Sequence, residues 1–168
     1  MNLENKTAFI TGGNTGIGFG IAQALVAEGV NVAITSRSLQ RAEEAAEKIR
    51  DLASTKGQIL ALELDVKDFE AQKEAVNQMV KKWGKLDYFI ANAGVGHFAP
   101  IQDLSVEDWR DTIDTNLTGV FYGIKASVEA LKATEGFFLT ISSLAGTNFF
   151  AGGAAYNASK FGLTGFTQ

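Results

Sequence analysis

The sequence contains no cysteine, which excludes disulfides and thiolate metal sites and makes a reducing, cytoplasmic setting the expectation. No apolar run approaches the ~20 residues of a membrane span, so no membrane partner is expected. The opening Met-Asn-Leu-Glu-Asn-Lys lacks the charged, apolar and small-residue zones of a signal peptide. A basic stripe is missing as well. With 15 Lys and Arg scattered against 19 Asp and Glu, a formal charge of −4 argues against nucleic acid as a partner. There are no repeats, low-complexity stretches or linkers, so residues 1–168 read as one domain, and no metal-ligand set stands out.

What is present is a regular alternation of short apolar runs and amphipathic segments. Thr7–Thr11, Asn31–Thr35, Gln58–Leu64, Tyr88–Ala91 and Phe137–Ile141 are too short for helices and read as buried strands. Between them, helices are predicted from Ile17 to Glu28, from Leu39 to Ala53 and from Phe69 to Trp83, with Gly29 and Gly84 as stops. Ile17, Ile21, Ala24, Leu25 and Ala27 are expected on the buried face of the first helix, and Leu39, Ala42, Ala46, Ile49 and Ala53 on that of the second. Ser105-Val-Glu-Asp108 has the form of a capping box before a long helix that buries Leu117, Val120, Phe121, Ile124, Val128 and Leu131. A last helix starts near Ala154 and is still running at Gln168. Strands alternating with helices imply parallel crossovers, hence an α/β, doubly wound parallel sheet of Rossmann-like type.

Thr11-Gly-Gly-Asn-Thr-Gly-Ile-Gly18 falls where the first strand meets the first helix, the place at which such a sheet binds a dinucleotide. Glycine permits positive φ and close approach of backbone to pyrophosphate, and the helix amides then face the phosphate oxygens. Gly12, Asn14, Thr15, Gly16, Ile17 and Gly18 are the candidate cofactor residues of this turn.

The spacing Thr-Gly-x-x-x-Gly-x-Gly resembles the glycine segment of the short-chain dehydrogenase/reductase family. Three further segments resemble the family in order and at family spacing: Asp65-Val66, Asn92-Ala93-Gly94, and Tyr156-Asn-Ala-Ser-Lys160 with Ser143 thirteen positions before the tyrosine. The resemblance implies an oxidoreductase that moves a hydride between a nicotinamide dinucleotide and a small carbonyl or alcohol, as a ketone, ketoacyl or keto-sugar reductase. It implies that Asp65, Val66, Asn92, Ala93, Gly94, Tyr156 and Lys160 meet the cofactor, and that Asn116, Ser143, Tyr156 and Lys160 form a catalytic tetrad.

The chemistry agrees with that set. An alkoxide formed by hydride addition needs a proton, and Tyr156 can supply it. Lys160, four residues on, shares its helix face, and one charge at ~4 Å and effective dielectric ~20 favours the phenolate by about 4 kcal/mol. Ser143 would hold the substrate oxygen against the tyrosine, and the resemblance implies that Asn116 holds a water between Lys160 and solvent. After the second strand, Thr35-Ser-Arg-Ser38 offers no acid for a ribose hydroxyl, whereas Arg37 suits a 2′-phosphate, so NADP is expected over NAD. His97 is read as a loop residue bordering the cleft without chemistry, and Phe149 and Phe150 either line an apolar part of the pocket or simply pack. Epimerases on similar folds differ in glycine spacing, and a non-catalytic dinucleotide sensor would lose the tyrosine or lysine.

By resemblance a member of the family is longer, with further strands, substrate-choosing loops and a Pro-Gly turn, whereas the only proline here is Pro100. The expectation is therefore a fold truncated after the fifth strand and the start of the next helix, which leaves an edge unpaired. A homodimer or homotetramer is also implied.

Overall fold

The computed structural model describes residues 3–52 and 56–168. Five parallel strands, β1 Thr7–Ile10, β2 Asn31–Ser36, β3 Ile59–Glu63, β4 Tyr88–Ala91 and β5 Phe137–Thr140, form one sheet in the order β3-β2-β1-β4-β5. Helices α1 Gly16–Ala27, α2 Leu39–Leu52, α3 Phe69–Trp83, α4 Val106–Ile113, α5 Gly119–Lys132 and α6 Ala154–Thr167 lie between and after them. The doubly wound, Rossmann-like class is thus observed. Because the chain moves outward from β1 in both directions, the order reverses between β1 and β4 and opens a crevice at their carboxyl ends.

The sheet is apolar on both faces. Phe9, Phe89 and Phe138 sit in register on β1, β4 and β5 and stack at centroid distances of 5.0 and 4.9 Å, against Met79 of α3 and Val120 of α5. The opposite face packs Ile10, Val32 and Ile34 under Ala22 and Val26 of α1 and Ala46 and Ile49 of α2. Truncating a ring such as Phe89, which is wholly buried, would cost about 3–5 kcal/mol.

Boundaries follow local chemistry. Asp68 caps α3 by accepting from Ala71 N, and Gly84 ends it in the left-handed region at φ 78°. Ser105 caps α4, its hydroxyl accepting from Asp108 N at 3.0 Å. The long helix that follows is interrupted by one π-helical stretch, Asp114–Thr118, between α4 and α5. Three expected faces need correction. On α1 the buried positions are Gly18, Ala22 and Val26, a stripe of small residues that lets the helix lie close to the sheet, while Ile17 is 64% exposed and Ala24 faces outward. Leu39 and Phe121 are also exposed. For Phe121 the π stretch shifts the helical phase, so Val120, Gly123, Ser127 and Leu131 point inward instead. Ala53 lies outside the described residues. At the rim, β5 is an edge strand with Phe137 and Leu139 exposed. No helix among the described residues is long and apolar enough to cross a membrane.

Candidate active site

The glycine turn is held from the neighbouring strand. Asn92 Nδ2 donates to the Thr11 and Gly12 carbonyls at 2.9 and 3.0 Å, and Thr11 Oγ1 accepts from the amides of Asn92 and Ala93, both at 3.0 Å. Thr35 Oγ1 adds a bond from Gly12 N at 3.3 Å. A Cβ on Gly18 would lie 2.4 Å from Asn92 Nδ2 and 2.8 Å from the Gly12 carbonyl, so only glycine lets the first turn of α1 pass so close. Thr15 at the N-cap makes no side-chain bond to that turn, and the first turn carries no acid. Its amides are therefore available to an anion in the cleft.

The cleft, about 890 Å³, runs along the carboxyl ends of the strands. On the β2–β3 side it is lined by Ser36, Arg37, Ser38, Arg41, Asp65 and Val66, and near the switch point by Gly12, Asn14, Thr15 and Ile17. Among the described residues neither Arg37 nor Arg41 forms an ion pair within 4 Å. On the β4–β5 side the lining passes from Asn92, Ala93 and Gly94 to Phe98, Ile141, Ser142, Tyr156 and Lys160.

Of the four expected catalytic residues, the structure brings Tyr156 and Lys160 together on the cleft wall. Lys160 is only 6% exposed; its Nζ lies 5.7 Å from the Tyr156 ring centroid and donates to the Ile141 carbonyl at 2.7 Å. Burial pushes its ammonium below the usual lysine range. Asn116 and Ser143 are not among the residues lining the cleft. Asn116, inside the π stretch, accepts from Val95 N and donates to the Val95 carbonyl, both at 2.8 Å, and to Ser159 Oγ at 3.1 Å. Its amide thereby joins the loop after β4 to α6. Ser143 Oγ accepts from Ala145 N at 3.1 Å and caps the short turn Leu144–Gly146, while its neighbour Ser142 reaches the cleft.

Several participants escaped the sequence reading. Arg41, Ser142, Ser159 and Phe98 carry no local signature, because their place at the site is set by how separate elements pack. His97 is more engaged than its loop position suggested: Nδ1 lies 3.2 Å from Asp108 Oδ1 and Nε2 3.1 Å from Asp111 Oδ2. Asp111 also pairs with Lys67 at 2.8 Å, next to Asp65 and Val66. Lys67, then His97, hold the Asp111 carboxyl below the usual range. Phe150 proves to be part of a ring cluster with Phe98 and Tyr156, whereas Phe149 is 82% exposed.

Residues 6–168 match the family model described as short chain dehydrogenase. Trans-4-hydroxycyclohexanecarboxylate dehydrogenase of Sinomonas cyclohexanicum is 40% identical over 99% of this chain and 65% of its own length. The chain is also similar to solved structures, among them two at a TM-score of 0.90. One is the alcohol dehydrogenase of Thermococcus sibiricus complexed with 5-hydroxy-NADP, 32% identical over 96% of this chain and 68% of that one. The other is carveol dehydrogenase of Mycobacterium avium in complex with NAD, 31% identical over 98% of this chain and 64% of that one. The chain spans 50% to 65% of the length of the first curated relatives it matches. With the glycine turn, the parallel sheet and the Tyr156–Lys160 pair in one cleft, these matches show that the chain belongs to the short-chain dehydrogenase family of oxidoreductases.

Proposed function

We propose that residues 1–168 act as a single cofactor-binding and catalytic domain that reduces a small-molecule carbonyl with NADPH. The observation that carries this reading is the division of one cleft into a cationic, hydroxyl-lined end and an end walled by Tyr156 and Lys160. The residues present fit a dinucleotide: Gly18 lets the first turn of α1 lie against Asn92 and the Gly12 carbonyl, and the first amides of α1 are uncommitted. Gly12, Asn14, Thr15, Gly16, Ile17 and Gly18 would hold the pyrophosphate. Asp65 and Val66 would flank the adenine, and Asn92, Ala93 and Gly94 would face the nicotinamide side. When bound, the cofactor supplies the hydride.

The chain's own part is positioning and proton transfer. Tyr156 donates its phenolic proton to the oxygen of the reduced carbonyl. Lys160, held by the Ile141 carbonyl, keeps a positive charge beside that ring and favours the phenolate left behind. Ser143, beside Ser142 at the end of β5, is assigned the substrate oxygen. Asn116 acts through Val95 and Ser159 by fixing the loop after β4 against α6. The exposed Phe121 and Phe137 suit covering by further copies of the chain, a dimer or tetramer.

Arg37 and Arg41 support NADP over NAD, because a 2′-phosphate would meet two unpaired guanidinium groups and no ribose-holding acid follows β2. Fluorescence titration with NADPH and NADH tests this. NADPH should bind at least about tenfold tighter, and Arg37→Ala should remove most of that margin while leaving NADH unchanged. Equal or tighter binding of NADH to the parent would overturn the assignment.

A further inference from the structure

Two phenylalanines from separate loops meet the phenol ring of Tyr156, and of the two Phe98 lines the cleft. Phe98, after β4, lies edge-on to Tyr156 at 5.6 Å and 64°; Phe150, between β5 and α6, lies 5.8 Å from Phe98 and 6.5 Å from Tyr156. The pair is built in. A Cβ on Gly96 would lie 2.6 Å from the Phe98 ring, and one on Gly153 would lie 2.5 Å from the Phe150 ring, so glycines make room for both. The two loops are joined by a bond from Ala99 N to the Gly152 carbonyl at 2.9 Å, and Asn157 Nδ2 holds the Phe150 carbonyl at 2.9 Å. Yet Phe98 remains 61% exposed and Phe150 45% exposed. They form a fixed apolar wall whose outer face is uncovered.

The charges of the cleft lie elsewhere. Arg37, Arg41 and Asp65 line the β2–β3 side, and Lys160, the charged residue of the cleft lining on the β4–β5 side, is directed at the Ile141 carbonyl. A substrate carboxylate or sugar polyol seated on Phe98 and Phe150 would give up hydration for no polar partner, whereas an apolar group would cover both rings.

We infer that the carbonyl substrate carries an apolar ring or branched hydrocarbon group beside its carbonyl carbon, and that Phe98 and Phe150 select it. The inference rests on the proposed carbonyl reduction at Tyr156. Its test is a panel of ketones offered with NADPH: 2-tetralone as the apolar member, dihydroxyacetone as the polyol and pyruvate as the anion, followed by loss of cofactor absorbance. The expected kcat/KM for 2-tetralone exceeds the other two by at least about tenfold. Phe150→Ala should lower it about tenfold, chiefly through KM, and leave dihydroxyacetone and NADPH affinity within about twofold. Phe98→Leu, which keeps an apolar side chain over Gly96, should give a smaller loss of the same kind. A preference for dihydroxyacetone or pyruvate, or an equal loss on all three ketones in Phe150→Ala, overturns the inference. If NADPH binds and no ketone is reduced, the proposed reductase reading fails separately. Saturation-transfer NMR of 2-tetralone then decides the apolar wall: binding that Phe150→Ala weakens supports it, and absence of binding to the parent sinks it.

Discussion

At the amino ends of β1 and β4, the Asp87 carboxylate accepts from Lys6 Nζ at 2.8 Å, Thr7 N at 2.9 Å and Thr7 Oγ1 at 3.1 Å, with Lys85 at 3.2 Å. The Asp87 amide donates to Thr7 and its carbonyl accepts from Phe137 N, so one residue ties three strands together. At the carboxyl ends of the same strands, the protein leaves groups open: the first amides of α1, Arg37 and Arg41, and the phenol of Tyr156 facing the cleft. Polar groups are saturated where the sheet is held and left unpaired where a ligand can complete them. Burial pushes the Asp87 carboxyl upward, but the bonds from Lys6, Thr7 and Lys85 outweigh it and hold the group below the usual carboxylate range. Its partner responds in the same sense, since the bond to Asp87 raises the Lys6 ammonium.

If the two ends are independent, mutations should separate stability from activity. The largest effect is expected at the open end. Tyr156→Phe removes the proton donor and should lower ketone turnover about 10³-fold, while NADPH affinity and melting temperature stay at parental values. Turnover within tenfold of the parent would break the assignment. At the saturated end, Asp87→Ala strips a carboxylate that is 3% exposed from four donors and should cost about 3 kcal/mol in urea unfolding. Cofactor affinity of the folded fraction should not change; a parallel loss of affinity would mean that the two ends are coupled through β1 and β4.

The smallest effect concerns acid. Asp87 and Asp111 both titrate lower in the folded chain, so their contribution is present above the unfolded carboxylate value of about 4 and is lost as pH falls through the folded values. Asp111→Asn should flatten the acid limb of stability by less than about 1 kcal/mol, since its pair with Lys67 is partly solvated. Thermal melts from pH 6 to pH 3 would measure it. A steeper limb in the variant would show that Asp111 is destabilising, contrary to its contacts with Lys67 and His97.

The glycine turn, the succession of strands and helices and the Tyr156–Lys160 spacing were legible because each is a local pattern. A strand followed by a glycine turn and a helix, or a tyrosine and a lysine four residues apart, specifies geometry within a few residues. The buried face of α1 was legible only in part: Ile21 and Leu25 pack partly buried against the core, but Ile17 and Ala24 face outward, and close approach to the sheet puts Gly18, Ala22 and Val26 innermost. Asn92 lines the cleft, and what its spacing did not show is that its amide also holds the glycine turn, a contact across some eighty residues. Asn116 and Ser143 were expected as tetrad members, and their bonds to Val95, Ser159 and Ala145 were not legible because those partners are set by packing or by the local turn.

From sequence alone came the elements, their alternation, the parallel class, the glycine turn after the first strand and the spacing that sets Lys160 beside Tyr156, all consequences of backbone periodicity and glycine's freedom. Only the tertiary structure decided that Asp87 would join three strands, that His97 would lie between Asp108 and Asp111, and that Phe98 and Phe150 would flank the phenol. Those contacts join side chains from different elements, and which atoms meet is set by how helices and loops pack on the sheet, which no local spacing encodes.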